Sequence, residues 1–206
     1  DASAMTTTGL DLFDVALFGW MLFAYLLGAI PFGYLVARLV ANKDVRLEGS
    51  GNIGATNVAR VVGKQWGVVT LLLDVAKGAI PVVMVRQAVP DHTTWLLVGL
   101  GAFLGHCFSF WLKFKGGKGV ATGLGVLLAA APPLAALGVV GFSAMFALSR
   151  RASAGSLFAA SVVWVGSLFL LPQPSSRWTL TVLLVILVWR HRDNVRRLLN
   201  HEELGV

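Results

Sequence analysis

A chain of 206 residues that is 56% hydrophobic and 13% charged, with a mean hydropathy of +0.75, is far more apolar than one soluble core requires. A soluble helical bundle would need a polar stripe on each helix, and the stretch from Trp95 to Leu112 offers only His106 and Ser109 as strongly polar interruptions. The formal net charge of +7 leaves nucleic acid, an anionic lipid surface and a small anionic substrate as partner classes, while the single cysteine, Cys107, excludes an intrachain disulfide and a thiol–metal cluster.

In chain order, apolar segments fall at about 13–39, 67–86, 94–112, 119–131, 134–148, 154–171 and 178–189, and their lengths predict an all-α membrane protein of about seven spans. In the first, Gly28-Ala29-Ile30-Pro31-Phe32-Gly33 places a proline where it removes a backbone donor, so a kink is expected. The fourth and fifth are separated only by Pro132 and Pro133, which leaves a tight helical hairpin and one broken helix as alternatives. Seven spans put the termini on opposite sides. All of the 17 lysines and arginines except Arg86, Arg177 and Lys77 fall before span two, between three and four, between five and six, or after seven. That bias predicts an outside N-terminus and a cytoplasmic C-terminus. Residues 1–4, Asp-Ala-Ser-Ala ahead of Met5, read as an extraneous remnant, and the segment from Met5 onward lacks the features of a signal peptide. With no repeat or long linker, residues 5–206 read as one domain.

Three polar clusters share the predicted cytoplasmic face. The first runs from Gly49 to Arg60 and alternates glycine with Ser50, Asn52, Thr56 and Asn57. Glycines admit an anion to the backbone N–H groups, short polar side chains add donors, and an arginine grips phosphate through two parallel bonds. The second, Phe114-Lys115-Gly116-Gly117-Lys118-Gly119, leads into a helix, where a glycine-rich backbone and two lysines suit a phosphate. It is not a nucleotide P-loop, because Leu112 stands at the first glycine position and Gly119 follows the lysine. In the third, Arg190 to Arg197, His191 and Asn194 share a helical face while the arginines spread around the rim. The flanking positive charge favours neutral His191.

Within the spans, Asp74 and Lys77 lie one turn apart, either as a functional pair or simply neutralising each other. His106 and Ser109 share a face and either line the same cleft or cross-link helices. Ser156 lies near the start of span six.

These residues resemble the signature regions of the bacterial acyl-phosphate:glycerol-3-phosphate acyltransferases. The likeness is carried by Ser50 to Asn57 with Arg60, by Gly105-His106 with Ser109 and Phe114 to Thr122, and by Arg190-His191 with Asn194 and Arg197. Ile30-Pro31-Phe32-Gly33 and the Asp74, Lys77-Gly78 pair also resemble that family. The resemblance implies a seven-helix inner-membrane enzyme that moves a fatty acyl group from acyl phosphate to the 1-hydroxyl of glycerol-3-phosphate, giving lysophosphatidic acid and phosphate. Ser50, Arg60, Lys118, His191 and Asn194 are then expected to be catalytic. Asn52, Gly54, Thr56, Asn57, His106, Ser109, Lys115, Gly116, Gly117, Gly119 and Ser156 are expected to bind substrate. No metal, cofactor or nucleic acid is called for. The expected partners are glycerol-3-phosphate, a long-chain acyl phosphate and membrane lipids, with an upstream enzyme that forms acyl phosphate as a further candidate.

The chemistry agrees with that expectation. Two phosphates in one pocket need several cations and backbone donors. A mixed anhydride has a good leaving group, so positioning and charge neutralisation suffice without an enzyme nucleophile. The proton acceptor stays open between His191, His106 and an oxygen of the acyl phosphate, the last favoured because no carboxylate adjoins a histidine within these motifs. Acyltransferases of glycerolipids that pair a histidine with an aspartate five positions on are disfavoured, since those positions hold Leu97, Trp111, Arg196 and Val206. A small organic-anion transporter is the alternative of a different class, but it would place its polar groups near the midplane of repeated halves. A non-catalytic scaffold leaves the three clusters unexplained.

Overall fold

The computed structural model describes residues 12–205, and the remnant at residues 1–4 lies outside them. Among the described residues all regular structure is helical. In order these are α1 (Leu12–Gly28), α2 (Phe32–Ala41), α3 (Ala55–Val61), α4 (Lys64–Ala88), α5 (His92–Cys107), α6 (Val120–Ala130), α7 (Pro132–Ser149), α8 (Ala152–Leu170), α9 (Pro174–Arg190) and α10 (Arg192–Leu199), with a short 3-10 turn at Phe110–Leu112.

Among the described residues five stretches are long and apolar enough to cross a membrane: Leu12–Ala41 through α1 and α2, α4, His92–Leu112 through α5 and its turn, α7 and α8. Helix α9 has 17 residues, and α6, expected as one of the seven spans over 119–131, has only 11. At 1.5 Å per residue α6 reaches roughly 16 Å, about half the hydrocarbon thickness. The loop ahead of it therefore sinks into the bundle, where irregular backbone survives because protein surrounds it. The two prolines start a new helix: α7 opens at Pro132, and Ala131 breaks the chain with φ −149° and ψ 71°. Segments four and five are thus separate helices.

The expected kink at Pro31 is a full break between α1 and α2. Two side chains from elsewhere satisfy the carbonyls it frees. Ser109 Oγ donates to Ala29 O at 2.5 Å, and Lys77 Nζ donates to Ile30 O at 2.9 Å. Two helix pairs meet closely through glycine. In α1 against α5, a Cβ on Gly28 would collide with Ala102 O, and one on Gly105 would collide with Tyr25 O. In α4 against α6, Gly78 abuts Thr122 O and Gly125 abuts Val75 O. Lipid supplies no hydrophobic drive between helices, so this close backbone approach carries much of the association. Gly125→Ala is accordingly expected to cost about 1–3 kcal/mol by overpacking, against a helix-propensity gain of roughly 1 kcal/mol. Thermal unfolding in detergent checks this against Gly19→Ala, whose methyl meets nothing within 4 Å and should not lower the midpoint.

Candidate active site

The joints between α2 and α4, α5 and α6, and α7 and α8 share one end of the bundle with α10, and they surround a cavity of about 590 Å³. Its polar end is lined by Ser50, Asn52, Thr56, Arg60, Lys118, Ser156, His191 and Asn194. Its apolar end runs between α4, α6, α7, α8 and α9, past Leu71, Leu127, Phe142, Val163 and Leu184. One chamber thus joins a cationic mouth to an oily slot.

The first loop is built around buried Asn57. Its Nδ2 donates to the carbonyls of Val45, Glu48 and Asn52 at 2.8, 3.1 and 2.9 Å, and its Oδ1 accepts from Ser50 N at 2.8 Å. That side chain has no capacity left for substrate and instead holds the loop. Gly49 is required beside it: φ is +60°, and a Cβ would collide with Asn57 Oδ1. Gly54 N is likewise committed, to Asn52 Oδ1 at 2.8 Å. Arg60 is exposed at the rim, with Nη1 on Asn57 Oδ1 at 3.3 Å and Nη2 on Gly205 O at 2.9 Å.

The second loop departs from expectation. Lys115 is exposed and lies off the cavity, as do Gly116, Gly117 and Ser109. The N–H groups of Gly116 and Gly117 are spent on Cys107 O and His106 O at 3.2 and 3.1 Å, so they cannot cradle a phosphate. Their carbonyls accept from Arg190, at 2.5 Å to Gly116 O and 2.9 Å to Gly117 O. Arg190 therefore clamps this loop rather than standing on the rim. Ser109 is spent on the α1–α2 break through its bond to Ala29 O. What remains for an anion is Lys118 with Gly119, Val120 and Ala121, where α6 begins beside the cavity. Gly119 has φ +82°, and a Cβ there would collide with the Phe103 ring.

Lys118 is mostly enclosed, and burial pulls its ammonium pKa down to about 8. The charged form is what holds an anion. Catalytic efficiency, which reports the free enzyme, is therefore expected to fall as pH rises through about 8, with the midpoint moving up once phosphate occupies the site. Rate measurements over pH 6–10 (about one unit per step) check both shifts.

His191 links α9 to α10 and is fully enclosed. Burial, joined by Lys118 and Arg190, pushes its pKa down to about 4, against a smaller upward pull from Leu187, so the ring is neutral near pH 7. Its Nδ1 lies 2.8 Å from Leu187 O. A carbonyl can only accept, so Nδ1 carries the hydrogen and Nε2 offers a lone pair. Ser156 Oγ donates to Ala152 O at 2.8 Å and keeps its own acceptor capacity.

Two participants, Glu203 and Ser153, escaped the sequence reading. Glu203 reaches back from beyond α10 to accept from Asn194 Nδ2 at 2.6 Å, Ser153 Oγ at 2.7 Å and Arg197 Nε at 2.8 Å. Burial alone would raise its pKa, but these hydrogen bonds hold the carboxyl below its ordinary value. Ser153 and Glu203 both line the cavity. The only signal in the sequence was the surplus of cations that a nearby acid could offset. Asp74 also reaches the cavity wall, paired with Lys77 at 2.8 Å and lying 3.7 Å from His106 Nδ1. A carboxylate does adjoin a motif histidine, but it arrives from another helix.

A family model described as glycerol-3-phosphate acyltransferase matches residues 18–201. A glycerol-3-phosphate acyltransferase of Myxococcus xanthus (strain DK1622) is 49% identical over 185 residues, covering 89% of this chain and 96% of that protein. One from Anaeromyxobacter sp. (strain K) is 44% identical over 187 residues, covering 88% and 93%. The crystal structure of PlsY (YgiH), an integral membrane glycerol 3-phosphate acyltransferase, in its glycerol 3-phosphate form superposes with a TM-score of 0.88 at 35% identity, covering 93% of this chain and 96% of that one. Its lysophosphatidic acid form gives a TM-score of 0.85 at 34% identity, covering 92% and 95%. The helical fold, the two-ended cavity and these relatives agree, and the chain belongs to the glycerol-3-phosphate acyltransferase family of integral membrane enzymes.

Proposed function

We propose that the chain transfers a fatty acyl group from acyl phosphate to the 1-hydroxyl of glycerol-3-phosphate, as one transmembrane domain of the bacterial inner membrane with its site open to the cytoplasm. The observation that carries this reading is the cavity itself, whose cationic end can take two phosphates and whose apolar end can take an acyl tail. The cationic loops at the site end support the cytoplasmic orientation.

In the proposed reaction Arg60, with Ser50 and Lys64 beside it on the cavity wall, holds the phosphate of glycerol-3-phosphate. Lys118 and the first N–H groups of α6 hold the phosphate of the donor. The neutral Nε2 of His191 accepts a hydrogen bond from the attacking hydroxyl and aims it at the acyl carbon. The new bond joins that oxygen to the acyl carbon, the bond from acyl carbon to phosphate oxygen breaks, and the hydroxyl proton leaves on the departing phosphate. Lysophosphatidic acid and inorganic phosphate result in equal amounts. Because acyl phosphate is a reactive mixed anhydride, an enzyme that forms it must act upstream.

The reading is tested by incubating the purified enzyme with palmitoyl phosphate and glycerol-3-phosphate and identifying the product by mass spectrometry. One 1-acyl product per phosphate is expected. Acylation at the 2-hydroxyl, or product without phosphate, would sink it.

A further inference from the structure

The buried pair Asp74–Lys77 and the ring of His106 have no part in the proposed reaction, yet Asp74 and His106 both line the cavity. Lys77, Asp74 and His106 expose 1%, 2% and 4% of their side chains. Unpaired charges at that depth are costly, so a chain keeps them only where they neutralise each other or serve the site. The connections run in one line. Lys77 Nζ donates to Ile30 O at the helix break and meets Asp74 Oδ1 at 2.8 Å. The same carboxylate oxygen lies 3.7 Å from His106 Nδ1. The far edge of the His106 ring meets the Cα of Gly117, where a Cβ would collide with Nε2, and the His106 carbonyl accepts from Gly117 N at 3.1 Å. Gly117 O in turn accepts from Arg190, the neighbour of His191.

This geometry also bears on the open choice of proton acceptor. With the Gly117 backbone packed against it, Nε2 of His106 is closed to a substrate hydroxyl, while Nδ1 has no hydrogen-bond partner and faces Asp74 Oδ1 at 3.7 Å. The ring is a spacer whose orientation sets where the loop lies.

We propose that Asp74, held by Lys77, is a positioning residue: it fixes the His106 ring, and through the packing of that ring on Gly117 it fixes the loop that delivers Lys118 to the donor phosphate. The inference rests on Lys118 as the phosphate-holding group. Partners of this kind typically set activity by about 10–100-fold without touching substrate.

Two variants read it. Asp74→Leu/Lys77→Met removes both charges together and leaves neither buried alone. His106→Gln leaves the Asp74–Lys77 pair in place and removes the ring. Each is purified alongside the unaltered enzyme and assayed with whichever acyl donor the unaltered enzyme uses, so that a wrong donor assignment shows in the unaltered enzyme and not as a difference between variants. The expected result for folded protein is kcat lower by about 10–100-fold with the KM for glycerol-3-phosphate within about threefold. The combined triple variant should be no slower than the slower of the two, because both lesions break one line of contact. Unchanged kcat in folded Asp74→Leu/Lys77→Met overturns the proposal, and so does a triple variant whose losses multiply. If the charge-pair variant fails to fold, His106→Gln decides alone: unchanged kcat there leaves the pair a purely structural one.

Discussion

Lys118→Ala is expected to lower kcat by about 10²–10³-fold, the cost of removing one preorganised donor from the place where charge develops. Three observations set that size. The ammonium lies on the cavity wall at the end of a loop clamped by Arg190, so it needs little reorganisation to meet the leaving phosphate. It is mostly enclosed, where an ionic contact is screened far less than at a surface. It also adjoins the start of α6, so its removal takes away the charge beside the first backbone N–H groups of that helix. Lys118→Arg should recover part of the loss but not all, since a planar fork replaces a compact charge in a closed space. Turnover at saturating substrates distinguishes this from a binding defect. A Lys118→Ala enzyme with near-normal kcat would move the leaving-group site elsewhere.

Arg60→Ala is expected to act on the other phosphate and to appear in KM. A hydrogen bond to a charged group is worth about 1.5–3 kcal/mol, which corresponds to a KM for glycerol-3-phosphate raised by roughly 10–100-fold. Arg60 stands exposed at the rim with its guanidinium toward the cavity mouth, and in the structure it is occupied by Asn57 and the Gly205 carbonyl. In the proposed reaction the substrate phosphate displaces the second of these contacts. Arg60→Lys keeps the charge but loses the bidentate fork, so it should fall between the two. Initial rates across glycerol-3-phosphate concentration separate this from the kcat loss of Lys118→Ala. If Arg60→Ala instead lowered kcat with KM unchanged, Arg60 would belong to the transition state and not to substrate capture.

Much of this architecture is legible in the chain. Uninterrupted apolar runs, Pro31, the Pro132-Pro133 pair and the one-sided distribution of lysines place the helices and collect the three polar clusters at one end. The catalytic set expected from the motifs, Ser50, Arg60, Lys118, His191 and Asn194, does line one cavity. What the chain conceals is how hydrogen-bonding capacity is spent. In the sequence Gly116 and Gly117 look like free donors, but folding brings the carbonyls of His106 and Cys107 against them and turns the supposed cradle into a joint. Asn57 looks like a substrate ligand until its amide is seen to tie together four points of its own loop. Glu203 comes after the last helix in an acidic pair that reads as a solvated tail, and only the return of the chain onto Asn194 and Ser153 brings it to the site. The α6 segment reads as a span because it is apolar, whereas its 11 residues serve to bury the loop that carries Lys118.

The most direct measurement is phosphate release by the purified enzyme given palmitoyl phosphate with and without glycerol-3-phosphate, beside palmitoyl-CoA as the competing donor. Release that needs both palmitoyl phosphate and glycerol-3-phosphate, with no transfer from palmitoyl-CoA, is the predicted result. Acylation from palmitoyl-CoA with no phosphate released by folded protein would contradict the proposed reaction and leave the cationic end of the cavity without a leaving group to hold.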